Sequence, residues 1–157
     1  MGFALFFLLT YLISSLFIVM KKKLNIFENT FIFLLILVIN INFSWILFEE
    51  LRFVTVAEET LSYIAFLLNR SLIIPMILVV YVNLFHTFKN KSRRIYLTIL
   101  SLGTMLLLVG VSIFFQILTY VNWNIGYDAI YFALLHLIAF YTYRFLIKFA
   151  YREVNYL

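Results

Sequence analysis

Residues 71–94 read SLIIPMILVVYVNLFHTFKNKSRR. Ser71 to Phe88 contains no Asp, Glu, Lys or Arg, and the residues that follow carry Lys89, Lys91, Arg93 and Arg94. A helix that crosses a hydrocarbon core of ~30 Å needs ~20 mostly apolar residues. Ser71–Phe88 is close to that length, and a basic cluster directly after such a run marks a loop retained in the cytoplasm.

The same alternation continues on both sides. Downstream, Ile95 to Val121 and about Ala129 to Ile147 are apolar. Upstream, Thr30 to Phe48 lies between Glu28 and the pair Glu49-Glu50, and Gly2 to Met20 runs up to Lys21-Lys22-Lys23. The expected architecture is therefore all-α: a single transmembrane domain over 1–157, with five spans at about 2–20, 30–48, 71–88, 95–121 and 129–147. The first segment lacks the positive start and small-residue cleavage site of a signal peptide, so it reads as a retained span.

Composition supports this reading. Of 157 residues, 66% are apolar and 12% charged, against ~45–50% and ~25% in soluble domains. Mean hydropathy is +1.07. A body this small has too little interior to hide so much apolar surface, which excludes a soluble fold, and the same count excludes disorder. There is no cysteine, which removes disulfides, thiolate metal sites, haem attachment, prenylation and palmitoylation. The net charge of +5 flanks the spans, so anionic lipid head groups explain it better than nucleic acid. Abundant Phe, Tyr, Ile, Asn and Lys have AT-rich codons, and a low-GC bacterial gene is expected.

The loops then set orientation. Lys21, Lys22, Lys23, Lys89, Lys91, Arg93, Arg94, Arg144, Lys148 and Arg152 fall on one side of a five-span topology. The other side holds only Arg52 and Arg70, with Glu49, Glu50, Glu58, Glu59 and Asp128. The positive-inside rule predicts a multi-pass cell-membrane protein with its N-terminus outside and its C-terminus cytoplasmic. Trp45, Trp123, Tyr127 and Tyr131 suit the outer interface, and Tyr141, Tyr143 and Tyr151 the inner one. Between spans two and three, Val54, Ala57, Leu61, Ile64 and Leu68 recur at helical spacing. That pattern predicts a short amphipathic helix on the outer surface, with a break near Asn69-Arg70 promoted by Pro75. Gly103 and Gly110 share one face of the fourth span, where small residues let helices approach.

Polar residues within spans are the place to look for function. Counting ~1.5 Å per residue from the nearest loop, Asn40 lies ~13 Å deep, Asn42 ~10 Å, Gln116 ~9 Å and His136 ~12 Å. All four fall in the outer half, with Arg70 at their rim. Two readings follow. The five can be interhelical hydrogen bonds of the usual kind, each worth ~0.6–2 kcal/mol. Alternatively Asn40, Asn42, Arg70, Gln116 and His136 converge on one polar cavity, with His136 as its titratable group and Arg70 holding an anion or pairing with Glu58, Glu59 or Asp128. Asn40 and Asn42 stand ~200° apart on a helix, so whichever faces lipid marks a partner surface. Near the basic side, Asn83 suits a bond to a neighbouring helix and His86 an interfacial position.

Catalytic patterns are absent. The CPBP-type intramembrane proteases carry EExxxR, FxxxH and HxxxN. Here Glu49-Glu50-Leu51-Arg52 is too short, Glu58-Glu59 has Tyr63 where Arg is needed, and Phe132–His136 and His86–Asn90 occur in the wrong order. No Ser-His-Asp set, HExxH or GxGD motif occurs, and two histidines in different leaflets do not build a metal site. No catalytic residue, metal or cofactor is assigned. The expectation is a non-catalytic membrane component that binds another membrane protein or itself, as an accessory or assembly factor. The competing expectation is a small transporter or proton-coupled conduit through the polar cluster.

Overall fold

Asn25 sets the start of the second helix. Its backbone N–H donates to Glu28 Oε2 at 2.8 Å, and its side chain caps the third helical position in return. This capping box satisfies two end donors at once, so the helix begins at Ile26 rather than near Thr30. The structure is a computed structural model that describes the backbone of residues 1–154 and the side chains of residues 1–148. The side chains of Tyr151 and Arg152 therefore lie outside the described residues.

The helices are α1 (Gly2–Val19), α2 (Ile26–Trp45), α3 (Thr60–Leu68), α4 (Ile74–Thr87), α5 (Lys91–Phe114) and α6 (Ile125–Val154). A π-helical turn, Ile46–Glu50, extends α2, and a second, Asn69–Ile73, joins α3 to α4. Counted this way, five helices are long and apolar enough to cross a membrane: Gly2–Val19, Ile26–Glu50, Thr60–Thr87, Lys91–Phe114 and Ile125–Lys148. A two-stranded antiparallel sheet pairs β1 (Val54–Val56) with β2 (Leu118–Tyr120), in the register Val54 to Tyr120.

The third long helix is the central post. Ile74, Ile77, Leu78, Tyr81, Val82 and Asn83 are buried in α4, which touches α1, α2, α5 and α6. Its apolar window is 44% buried, against 6% for α1, which lies at the periphery and seals only Phe6. The loop after α1 sits beside the C-terminal part of α4, because the backbone N–H groups of Lys23 and Leu24 both donate to Asn83 Oδ1. That end also carries the α4–α5 loop with Lys89 to Arg94, and Arg144 and Lys148 late in α6. It is called the basic end below. The sheet closes the opposite end, called the sheet end below. There the start of α1 is so close that a Cβ on Gly2 would lie 3.0 Å from Ile117 Cδ1.

Three expectations change. The fourth span does not reach Val121. Gln116 takes a left-handed φ of 56°. Its N–H bonds to the Ile113 carbonyl, and the N–H of Ile117 bonds to the Ser112 carbonyl. This is a Schellman stop with glutamine in the place usually held by glycine. Ile117 and Leu118 are then buried at this end of the bundle, Ile117 against the start of α1 and Leu118 in the strand pair.

The segment from Val54 to Asn69 is not a separate surface helix. Val54–Val56 is strand, and from Thr60 the chain runs helically through Asn69–Ile73 into α4. The buried residues of the segment are Val54, Ala65, Phe66 and Asn69, whereas Leu61 and Ile64 are exposed. Leu61 and Ile64, two residues of the stripe expected on a surface helix, point away from the bundle, as apolar side chains do when the surroundings are hydrocarbon. From Thr60 to Thr87 the helix is ~42 Å long at ~1.5 Å per residue, a length that tilt accommodates. Finally, Gly103 and Gly110 meet nothing within 4 Å of a built Cβ, so neither mediates close packing among the described residues.

Candidate functional site

Pro75 explains the junction at which Asn40 sits. In the π-helical turn the Ile74 N–H bonds five residues back, to the Asn69 carbonyl. In that register the Arg70 carbonyl would accept from residue 75, and proline has no N–H to give. Asn40 supplies the missing donor from α2: its Nδ2 lies 2.6 Å from the Arg70 carbonyl. Its Oδ1 accepts from the Tyr131 hydroxyl of α6 at 2.8 Å. Tyr131 is held for this by stacking on Phe43, with ring centroids 3.8 Å apart and planes at 7°. Asn40 thus ties three helices with one side chain, and it is 2% exposed.

Of the five polar residues singled out in the sequence, Asn40 and Arg70 meet in this way and the other three do not join them. Asn42 is exposed on α2, and its Nδ2 donates to the carbonyl of Val38 on its own helix at 2.7 Å. Gln116 is exposed beyond the end of α5. His136 is buried elsewhere. Its Nδ1 is 2.7 Å from the Phe132 carbonyl and its Nε2 is 2.9 Å from Ser101 Oγ on α5. The Tyr81 ring of α4 meets it edge-on at 4.6 Å. Tyr131 and His136 are five residues apart, ~140° around a helix by the ~3.6-residue turn, so one faces α2 and the other α4 and α5.

Two polar networks lie outside these five residues; in the first, Asn83 makes the expected bond to a neighbouring helix, but its partner Asn29 and the whole of the second went unread in the sequence. At the basic end, Asn83 Nδ2 donates to Asn29 Oδ1 at 2.7 Å, and Asn29 Nδ2 donates to the Leu24 carbonyl at 3.0 Å. With the two loop N–H groups on Asn83 Oδ1, this pair fixes α2, α4 and the first loop together. Its signal was the position of Asn29 one turn into a capped helix. His86, close by, meets the Tyr143 ring at a tilt of 44°, with centroids 3.9 Å apart. At the sheet end, Tyr120 donates to Asp128, and Trp123 Nε1 donates to Asp128 Oδ1 at 3.0 Å. Asp128 is buried and so used within the end cap, not paired with Arg70. Burial, then the hydrogen bond and the charge of Asp128, hold the Tyr120 phenol well above the usual tyrosine value.

One cleft is strongly polar. It has a volume of about 580 Å³ and lies between β1 and the two π-helical turns. Arg70, Glu49 and Glu58 line it, with Trp45, Tyr63 and Phe66. The Arg70 guanidinium sits over the Phe66 ring, 4.9 Å from its centroid, and its Nε has no hydrogen-bond partner. Among the described residues neither glutamate forms an ion pair with it. A π-helical turn inserts one residue into a helix and re-aims the side chains after it, which is why such turns recur at functional sites. Here one such turn contributes Glu49 and the other Arg70.

The fold defines a five-helix bundle compatible with a small membrane protein. No family model, curated protein or solved structure matches the chain.

Proposed function

We propose that this is a non-catalytic component of a bacterial cytoplasmic membrane that acts by binding another membrane protein, with the basic end cytoplasmic and the sheet end outside. The observation that carries the reading is the outward position of Asn42. Asn40, Asn83 and His136 each make at least one hydrogen bond to a neighbouring helix of the bundle. Asn42 stands exposed beside Val38, Ile41 and Trp45, bonded only to its own helix. An asparagine facing hydrocarbon keeps unused hydrogen-bonding capacity, and a second helix is the partner that relieves it. The transporter reading rests on a shared cavity, and of the five polar residues only Asn40 and Arg70 meet, so the geometry lends it no support.

The test is purification in mild detergent from the native membrane, with and without Asn42→Leu. A hetero-complex that the wild type retains and Asn42→Leu loses is expected, with the bundle's melting temperature unchanged. Ion- or proton-dependent flux in liposomes containing only this chain would defeat the proposal.

A further inference from the structure

We propose that the polar cleft between β1 and the two π-helical turns binds a zwitterionic aminoethyl phosphate group, presented by a phospholipid head group. Three charged side chains line the cleft and do not pair with one another. A simple anion at Arg70 would share the space with Glu49 and Glu58, and a simple cation would share it with Arg70. A molecule with a phosphate and an ammonium two methylenes apart complements both signs. The guanidinium is suited to the phosphate, since its planar donors match phosphate oxygens. Trp45 and Tyr63 offer aromatic faces to the ammonium beside the two carboxylates.

The cleft is set to keep these charges apart. Arg70 is held over Phe66, which is itself braced edge-on by Phe48 with centroids 5.1 Å apart. Its backbone is fixed by Asn40, so the side chain is free to serve a ligand without disturbing the junction below. Trp45, Trp123 and Tyr127 mark the level at which lipid head groups reside. There the lipid-borne zwitterion is far more concentrated than any free one.

Native mass spectrometry of the detergent-purified full chain tests this. The probes are phosphatidylethanolamine, phosphatidylglycerol with the same acyl chains, and water-soluble glycerophosphoethanolamine. Phosphatidylethanolamine is expected to bind at least about tenfold more tightly than phosphatidylglycerol, with about tenfold lost in Arg70→Gln and in Glu58→Gln. Glu58 is exposed, so its variant reads the site even where Arg70→Gln perturbs folding. Equal binding of the two lipids, or ethanolamine-lipid binding unchanged in both variants, overturns the site. Glycerophosphoethanolamine binding as tightly as the lipid overturns the lipid source in favour of a free zwitterion.

Discussion

Asn40 and Asn42 are chemically identical, two positions apart, and have opposite roles. Replacing Asn40 with Leu strands the Arg70 carbonyl and the Tyr131 hydroxyl together. Each buried polar group left unpaired costs ~1–3 kcal/mol, so Asn40→Leu should lower unfolding stability in detergent by at least that. Asn42→Leu removes only a bond within its own helix and should stay within ~0.5 kcal/mol of wild type. The reverse order would refute the partners assigned to each. Tyr120 gives a pH signature. Its neutral phenol is favoured in the folded state, so its contribution is complete below the free-tyrosine value of ~10 and declines as pH rises beyond it. Tyr120→Phe lacks the bond to Asp128 and should be less stable near neutral pH by ~1.5–3 kcal/mol. The gap between the two proteins should then narrow above pH ~10. A gap that is constant or widens between neutral and alkaline pH would count against the assignment.

At the scale of elements, the π-helical turn at Asn69–Ile73 and the asparagine on a different helix form one device. Proline removes a donor and Asn40 replaces it. Alanine at position 75 would restore a backbone N–H within reach of the Arg70 carbonyl. Pro75→Ala should therefore soften the effect of Asn40→Leu. A double-mutant cycle should give a coupling of about 1 kcal/mol, inside the usual range for residues that share a partner. Strictly additive effects would show that the two do not serve the same carbonyl. Periodicity alone missed this device because it sorts side chains by face and is silent about which carbonyl lacks a donor. It also read Ile117 to Val121 as helix. Gln116 ends α5 by adopting a left-handed conformation that most residues avoid, and the short strand exists only because Val54–Val56 is there to pair with it.

For the whole molecule, the distribution of charge is the organising feature. Lys21–Lys23, Lys89–Arg94 and the late part of α6 occupy one end of the bundle, and the acidic residues Glu49, Glu50, Glu58, Glu59 and Asp128 the other. The proposed orientation makes the basic end cytoplasmic. With no native cysteine, single cysteines at Lys22 and Asn90 should resist a membrane-impermeant thiol reagent in intact cells, while one at Glu58 should react. Each basic residue near an anionic leaflet is worth ~1 kcal/mol. Changing Lys89, Lys91, Arg93 and Arg94 to Gln together should then scramble the insertion of the third and fourth spans, seen as mixed labelling of both ends. Uniform labelling of the four-Gln variant would assign that loop to docking instead.

The number of long apolar helices, the segregation of charge and the absence of catalytic motifs were all written in the order of residues along the chain. Hydrocarbon imposes a length, and charges interrupt it, so both can be counted without knowing who touches whom. Which polar residues meet was not countable. Depth places Asn40, Gln116 and His136 at similar levels, but the rotation of each helix sends Asn40 to Arg70 and Tyr131, His136 to Ser101 and Tyr81, and leaves Asn42 facing outward. The stripe of Leu61 and Ile64 was visible as a stripe; only packing decided that it faces away from the bundle. In water an apolar face seeks the core. Against hydrocarbon it gains nothing by turning inward, so hydrophobicity loses its power to say which side is in. There the choice falls to hydrogen bonds, such as the one Pro75 leaves for Asn40 to make.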